Sequence, residues 1–130
     1  MITYLLTHLA ADATLAALVD TRIRPGMLEQ GATLPAVTYT LVSRVPAHHR
    51  SGPDTLAQAR WQFDCHARTY AEVVAVCAAL IADAQEFTRS TAPRVDRVFV
   101  DAIRDLNTGD FDEGLYFRRI IDLLIWHEEP

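Results

Sequence analysis

The stretch from Arg60 to His66 changes side at every residue: Trp61, Phe63 and Cys65 alternate with Arg60, Gln62, Asp64 and His66. Successive side chains of a strand point to opposite faces, so this pattern belongs to an antiparallel strand with one buried face and one wet face. Just beyond it stands Thr69-Tyr70-Ala71-Glu72. This is a capping box, in which the Thr and Glu side chains satisfy free N–H groups at a helix start. Val73, Cys77, Leu80, Ile81 and Ala84 then form one helical stripe. A half-wet strand that runs straight into a one-sided helix points to a layer of helix on sheet.

The remaining elements fit the same layer. Ile2, Leu5, Leu6 and Leu9, then Leu15, Leu18 and Val19, follow helical spacing over residues 2–19. Asp12 before Ala13-Thr14 predicts a helix restart, and Asp20 ends the segment. Residues 21–24 are a short extended piece stopped by Pro25-Gly26, and residues 27–35 form a loop. Ala36 to Arg44 reads as a strand, and Gln58 to Ala67 as the second arm of a hairpin. Its tip carries Pro46, His48, His49, Arg50, Pro53 and Asp54, a long polar connection. The capped helix reaches about Phe87, and strands follow over Arg94–Asp105 and Leu115–His127, joined by an acidic turn. The order is α-β-β-β-α-β-β, an α+β domain: a small antiparallel sheet of about four strands with two helices packed on one face.

The last strand breaks the rule of one wet face. Leu115, Phe117, Ile121, Leu123 and Ile125 give the core side. The opposite side reads Tyr116, Arg118, Ile120, Asp122, Leu124 and Trp126, which is too apolar for water. A second layer or another subunit must cover it. Arg118, Ile120, Asp122, Leu124 and Trp126 are therefore the candidate self-association residues. The tip residues Pro46 to Thr55 are the candidate partner-docking loop.

Chemistry is hard to place. All twelve basic residues are arginine, so no lysine nucleophile, Schiff base or phosphate-loop lysine exists. A net charge of −5 argues against a basic nucleic-acid surface. His48-His49 with Asp54 lack zinc spacing, and Cys65-His66 point to opposite faces of one strand. Asp105-x-Asn107-x-Gly109-Asp110 has its glycine one place early for a calcium loop, and the twelfth position is Tyr116. No serine stands in a nucleophile-elbow motif, and neither cysteine opens a helix. No catalytic site, metal or cofactor is expected. Cys65 and Cys77 read as buried small apolar residues. The apolar runs are too short for a membrane span, and 130 residues fit a single domain.

Four segments in order carry a resemblance. They are Leu15-Ala16-Ala17-Leu18-Val19 running into Arg22-Ile23-Arg24-Pro25; Leu34-Pro35-Ala36-Val37-Thr38-Tyr39; Ala59 to Ala67 leading into Thr69–Glu72; and Gly114-Leu115-Tyr116 with Asp122-Leu123-Leu124-Ile125-Trp126-His127. In this order and spacing, over nearly the whole chain, the sequence resembles the tail terminator proteins of long-tailed bacteriophages, also called tail completion or tail-to-head joining proteins. The resemblance implies a small α+β fold and a structural role without catalysis. It implies a ring, most often a hexamer, that caps the tail tube in the virion after assembly in the host cytoplasm. The implied partners are a second copy, the tail tube protein and a head-completion or connector protein, with DNA passing the lumen unbound. An alternative in the same structural class is a neighbouring neck protein, a head-closure or stopper subunit; one in a different class is a small intracellular enzyme or ligand-binding domain with a pocket between sheet and helices.

Overall fold

The computed structural model describes residues 2–28, 33–45, 56–91, 93–106, 110–111, 114–115 and 117–128. The chain opens with α1 (Ile2–Ala11) and α2 (Ala13–Val19). Asp12 separates them as expected: its backbone is extended, and Oδ2 accepts the Leu15 N–H at 3.0 Å. The two helices bend by 87° at this break. No single helix among the described residues is long and apolar enough to cross a membrane; only this bent pair together passes by length and composition. Leu5, Leu9, Leu15 and Val19 are fully buried. Asp20, at φ 54, ends α2 while its N–H donates to the Ala16 carbonyl.

Next come β1 (Ile23–Pro25), β2 (Ala36–Val45) and β3 (Leu56–Ala67), then α3 (Tyr70–Gln85) and β4 (Val95–Asp105). The capping box forms, with Thr69 Oγ1 accepting the Glu72 N–H at 3.2 Å. β5 (Asp110–Phe111) and β6 (Gly114–Leu115) make a small ladder of their own before β7 (Phe117–Glu128). The main sheet has the order β1-β2-β3-β7-β4. Every neighbouring pair is antiparallel except β1 and β2.

The α+β class and the element order are as read from the sequence, and the details extend that reading. The four long strands are antiparallel, but β1 joins the sheet as a fifth strand, parallel to β2, so the sheet is mixed. The N-terminal segment is two helices, which makes three among the described residues. β1 pairs with Val37–Tyr39 only. Gly26 then turns the chain away at φ 79, a backbone region that favours glycine, and its N–H donates to the Tyr39 carbonyl at 2.9 Å.

The last strand in sequence is central in space: β7 lies between β3 and β4. Its odd positions Ile121, Leu123 and Ile125 are fully buried, with Phe63 and Cys65 of β3 and Val73, Val76, Cys77 and Leu80 of α3 in one core. Leu5, Leu9, Leu15 and Val19 of α1 and α2 extend that core behind α3. At about 25 cal/mol per Å² of apolar surface, this single layer between sheet and helices is the main source of stability.

Candidate interaction face

The sheet has two faces, and the helices take only one. On the other, β3 presents Gln58, Arg60, Gln62, Asp64 and His66, which stand opposite Trp126, Leu124, Asp122, Ile120 and Arg118 of β7. On the far side of β7, β4 sets Arg97, Phe99, Ala102 and Arg104 opposite Trp126, Leu124, Asp122 and Ile120. A bulge between Val100 and Ala102 inserts Asp101 here.

These side chains join into a charge-balanced chain across the strands. Arg60 pairs with Asp101 and lies 3.8 Å from Asp122. Arg104 Nη1 donates to Asp122 Oδ2 at 2.9 Å, and its Nη2 reaches Gln62 Oε1 at 3.4 Å. Gln62 Nε2 donates to Asp64 Oδ1 at 3.0 Å. Arg118 completes the run with a forked contact to Asp64 Oδ2, its Nε at 3.0 Å. Within this chain three arginines face three aspartates, so the network itself is close to charge-neutral. The several donors of each guanidinium let Arg104 and Arg118 make two contacts at once, which an ammonium point charge holds less well in one geometry.

At the margin of the face, His66 Nε2 and Thr38 Oγ1 are hydrogen-bonded at 2.9 Å. Burial, reinforced by the Arg118 charge against the opposing pull of Asp64, pushes the imidazole down to about 4. His66 is therefore a neutral hydrogen-bonding group near pH 7 and no acid–base catalyst there.

The residues proposed from sequence for self-association all lie on this face, but unequally. Ile120 is only 4% exposed and Asp122 8%, so both are buried within the subunit itself. The reason is their central place: Ile120 sits between Asp64 and Arg104, whose side chains, like that of Arg118, cover apolar surface with their stems. Arg118, Leu124 and Trp126 are half-buried. Phe99, 42% exposed, stands beside Leu124 with the Arg97 guanidinium 5.5 Å from its ring. The docking-loop residues Pro46, His48, His49, Arg50, Pro53 and Asp54 lie outside the described residues.

Sequence reasoning missed Phe99, Arg60, Asp101 and Arg104 as members of this face. Alternation within β3 did signal Arg60. β4 reads as a strand, but its two bulges break the period of two and hide which of its side chains share this face.

Elsewhere, polar clusters serve packing. Arg119 binds Asp105 at 2.6 Å and Tyr70 at 2.7 Å, and Tyr70 donates to Asp105 at 2.9 Å. The Arg119 and Tyr70 hydrogen bonds hold the Asp105 carboxyl below its ordinary range. This clamp ties the start of α3 to β4 and β7. His8 Nε2 lies 3.1 Å from Asp83 on α3, where burial raises the Asp83 carboxyl. Cys65 and Cys77 are both free and buried, as expected, and burial pushes both thiols up, away from nucleophilic reactivity. Cys65 faces the core while His66 faces the other way. Among the described residues, no group of three or more His, Cys, Asp or Glu side chains is placed to hold a metal ion.

Comparison with known proteins supplies the context for this face. No curated protein matches the sequence. Among solved structures, a chain from the virion of a native gene transfer agent particle superposes with a TM-score of 0.69 at 16% identity, over 96% of this chain and 92% of that one. That likeness is one of fold. The model of the family described as tail completion protein gp17 matches residues 3–128, and the chain belongs to this family.

Proposed function

We propose that this phage tail structural protein is the subunit of a ring, a hexamer, that caps the tail tube and joins the tail to the head connector. Its partners are further copies of itself, the tail tube protein on one side and a head-completion or connector protein on the other. It works in the virion, at the tail and neck, and assembles in the host cytoplasm. The observation that carries the reading is the sheet face described above. It lies opposite the helices, carries paired charges across three strands, and is edged by Phe99, Leu124 and Trp126. A catalytic cleft needs convergent polar groups with shifted protonation around a pocket. Here the polar groups neutralise one another across a flat surface, which suits docking.

Ring contacts run from this face to a different surface of the next copy, since head-to-tail contacts propagate and close at a suitable rotation. Arg118 and Asp122 fix orientation more than they add affinity. Leu124 and Trp126 supply apolar area, about 1.5–3 kcal/mol each if fully buried, less the part already covered in the subunit. The hairpin tip from Pro46 to Thr55 docks on an adjoining ring. With a charge of −5 per subunit, the lumen passes DNA without gripping it. The protein needs no cofactor and catalyses no reaction.

Native mass spectrometry combined with circular dichroism tests this. Leu124→Gln with Trp126→Gln leaves a folded monomer where the wild type forms a ring. A wild type that stays monomeric at high concentration and on tail tubes sinks the proposal. Shortening the 46–55 tip leaves the fold intact and lowers the yield of head-joined tails; normal yield removes the tip from the docking role.

A further inference from the structure

The strand arrangement carries the ring reading one step further, to a main-chain join between copies, and depends on that reading. Three observations meet. First, β1 covers β2 only as far as Tyr39, because Pro25 and Gly26 turn the chain away. From Leu41 to Val45, no described strand pairs with β2 on the side opposite β3. Leu41, Val42 and Val45 on that stretch are 43%, 50% and 53% exposed. A bulge between Leu41 and Ser43 and the charged Arg44 guard this edge only in part, since its apolar side chains stay exposed.

Second, the other edge of the same sheet is β4. Its stretch Arg97 to Val100 is regular, between bulges at Val95/Arg97 and Val100/Ala102. Arg89 bridges Val95 just before it, and Phe99 is exposed within it. The two open stretches are at the same level of the sheet. The ladder runs from Leu41–Val45 through Trp61–Gln58 and Leu123–Trp126 to Val100–Arg97.

Third, directions alternate strictly from β2 through β3 and β7 to β4. β4 of one copy therefore lies antiparallel to β2 of a copy placed beside it in the same orientation.

We infer that Leu41–Val45 of one copy accepts the β4 stretch Arg97–Val100 of the next, extending one sheet from subunit to subunit. A join at one level adds no step along the strands from copy to copy, and a closed ring tolerates no step along its axis. Main-chain hydrogen bonds hold the join, and Phe99 brings apolar area to Val45, which shares the open face with it.

The test mixes two single variants of the full chain, Val42→Cys and Phe99→Cys, under mild oxidation. The join gives a cross-linked heterodimer from the mixture and no link from either variant alone. Self-linking of Val42→Cys alone means a symmetric edge contact and overturns the inference. Val42→Lys and Phe99→Lys each weaken association by about a hundredfold with unchanged circular dichroism. In the wild type, backbone amides of residues 41–45 lose their fast hydrogen exchange only on assembly. Protection already present in the monomer means the chain covers its own edge, which overturns the inference, as does protection gained only from a different virion protein. If the wild type assembles while Val42→Lys assembles equally well and the mixture gives no link, the ring stands and the strand join falls. If the wild type never assembles, both fall.

Discussion

The two faces of one sheet are built from the same strands and do opposite work. Towards the helices, Phe63, Cys65, Ile121, Leu123 and Ile125 are sealed in a core that closes within the subunit. On the other face, Arg60, Arg104 and Arg118 pair with Asp101, Asp122 and Asp64, and no described helix packs over them. The first face settles whether the chain folds. The second costs little to leave in water, because Arg60, Arg104 and Arg118 are each paired and Ile120 is already buried within the subunit. That combination suits the proposed ring role: apolar area available to dock, screened by groups that tolerate solvent.

Substitution separates the faces most strongly in the core. Phe63→Ala removes a fully buried ring and lowers stability by about 4 kcal/mol, read from the denaturant midpoint. A comparable loss from Leu124→Ala on the other face would erase the distinction.

Acid comes next, through His66 at the margin of the open face. The unfolded imidazole titrates near 6.5 and the folded one near 4, so between these values the unfolded chain holds the extra proton. Stability from this group is complete above pH 6.5 and falls as the pH drops towards 4, by at most about 3 kcal/mol. His66→Asn flattens that part of the stability–pH curve. An unchanged slope in the variant would show that other groups carry the acid response.

A smaller effect belongs to a position on neither face. Thr69→Ala deletes the α3 cap and costs about 1 kcal/mol, measured as a fall in thermal midpoint with assembly preserved. Loss of assembly there would mean that α3 itself touches a neighbour.

Smallest is the response of the open face to salt. Exposed and half-exposed ion pairs are worth about 0–1 kcal/mol each, so raising salt from about 0.1 to 1 M changes monomer stability by less than about 1 kcal/mol. A larger fall would place the Arg–Asp network among the folding determinants and blur the contrast between faces.

How much of this could be read along the chain follows from the range of each interaction. The alternation through Trp61, Phe63 and Cys65, the Thr69–Glu72 box and the Asp12 restart are local signals. The backbone satisfies them within a few residues, so they survive into the fold with little change. The excess of apolar residues on the last strand was legible too, and it marked a strand with neighbours on both sides.

What covers that strand was not legible. Ile120 is shielded by Asp64, 56 positions earlier in β3, and by Arg104 in β4, a contact that exists only once β7 has inserted between them. Strand order, the parallel entry of β1 and the bulge that swings Asp101 onto the open face depend on pairings between distant segments. Several such pairings satisfy the same local pattern, because a strand's alternation names its faces and says nothing about its neighbours. The sequence by itself determined the long elements, the caps of α2 and α3, the core side of β3 and β7 and the absence of lysine chemistry. Only the tertiary structure decided which charges meet, which apolar side chains stay uncovered and which strand edges stay open, since those follow from long-range packing whose loop-closure cost and contact energy no local stretch encodes.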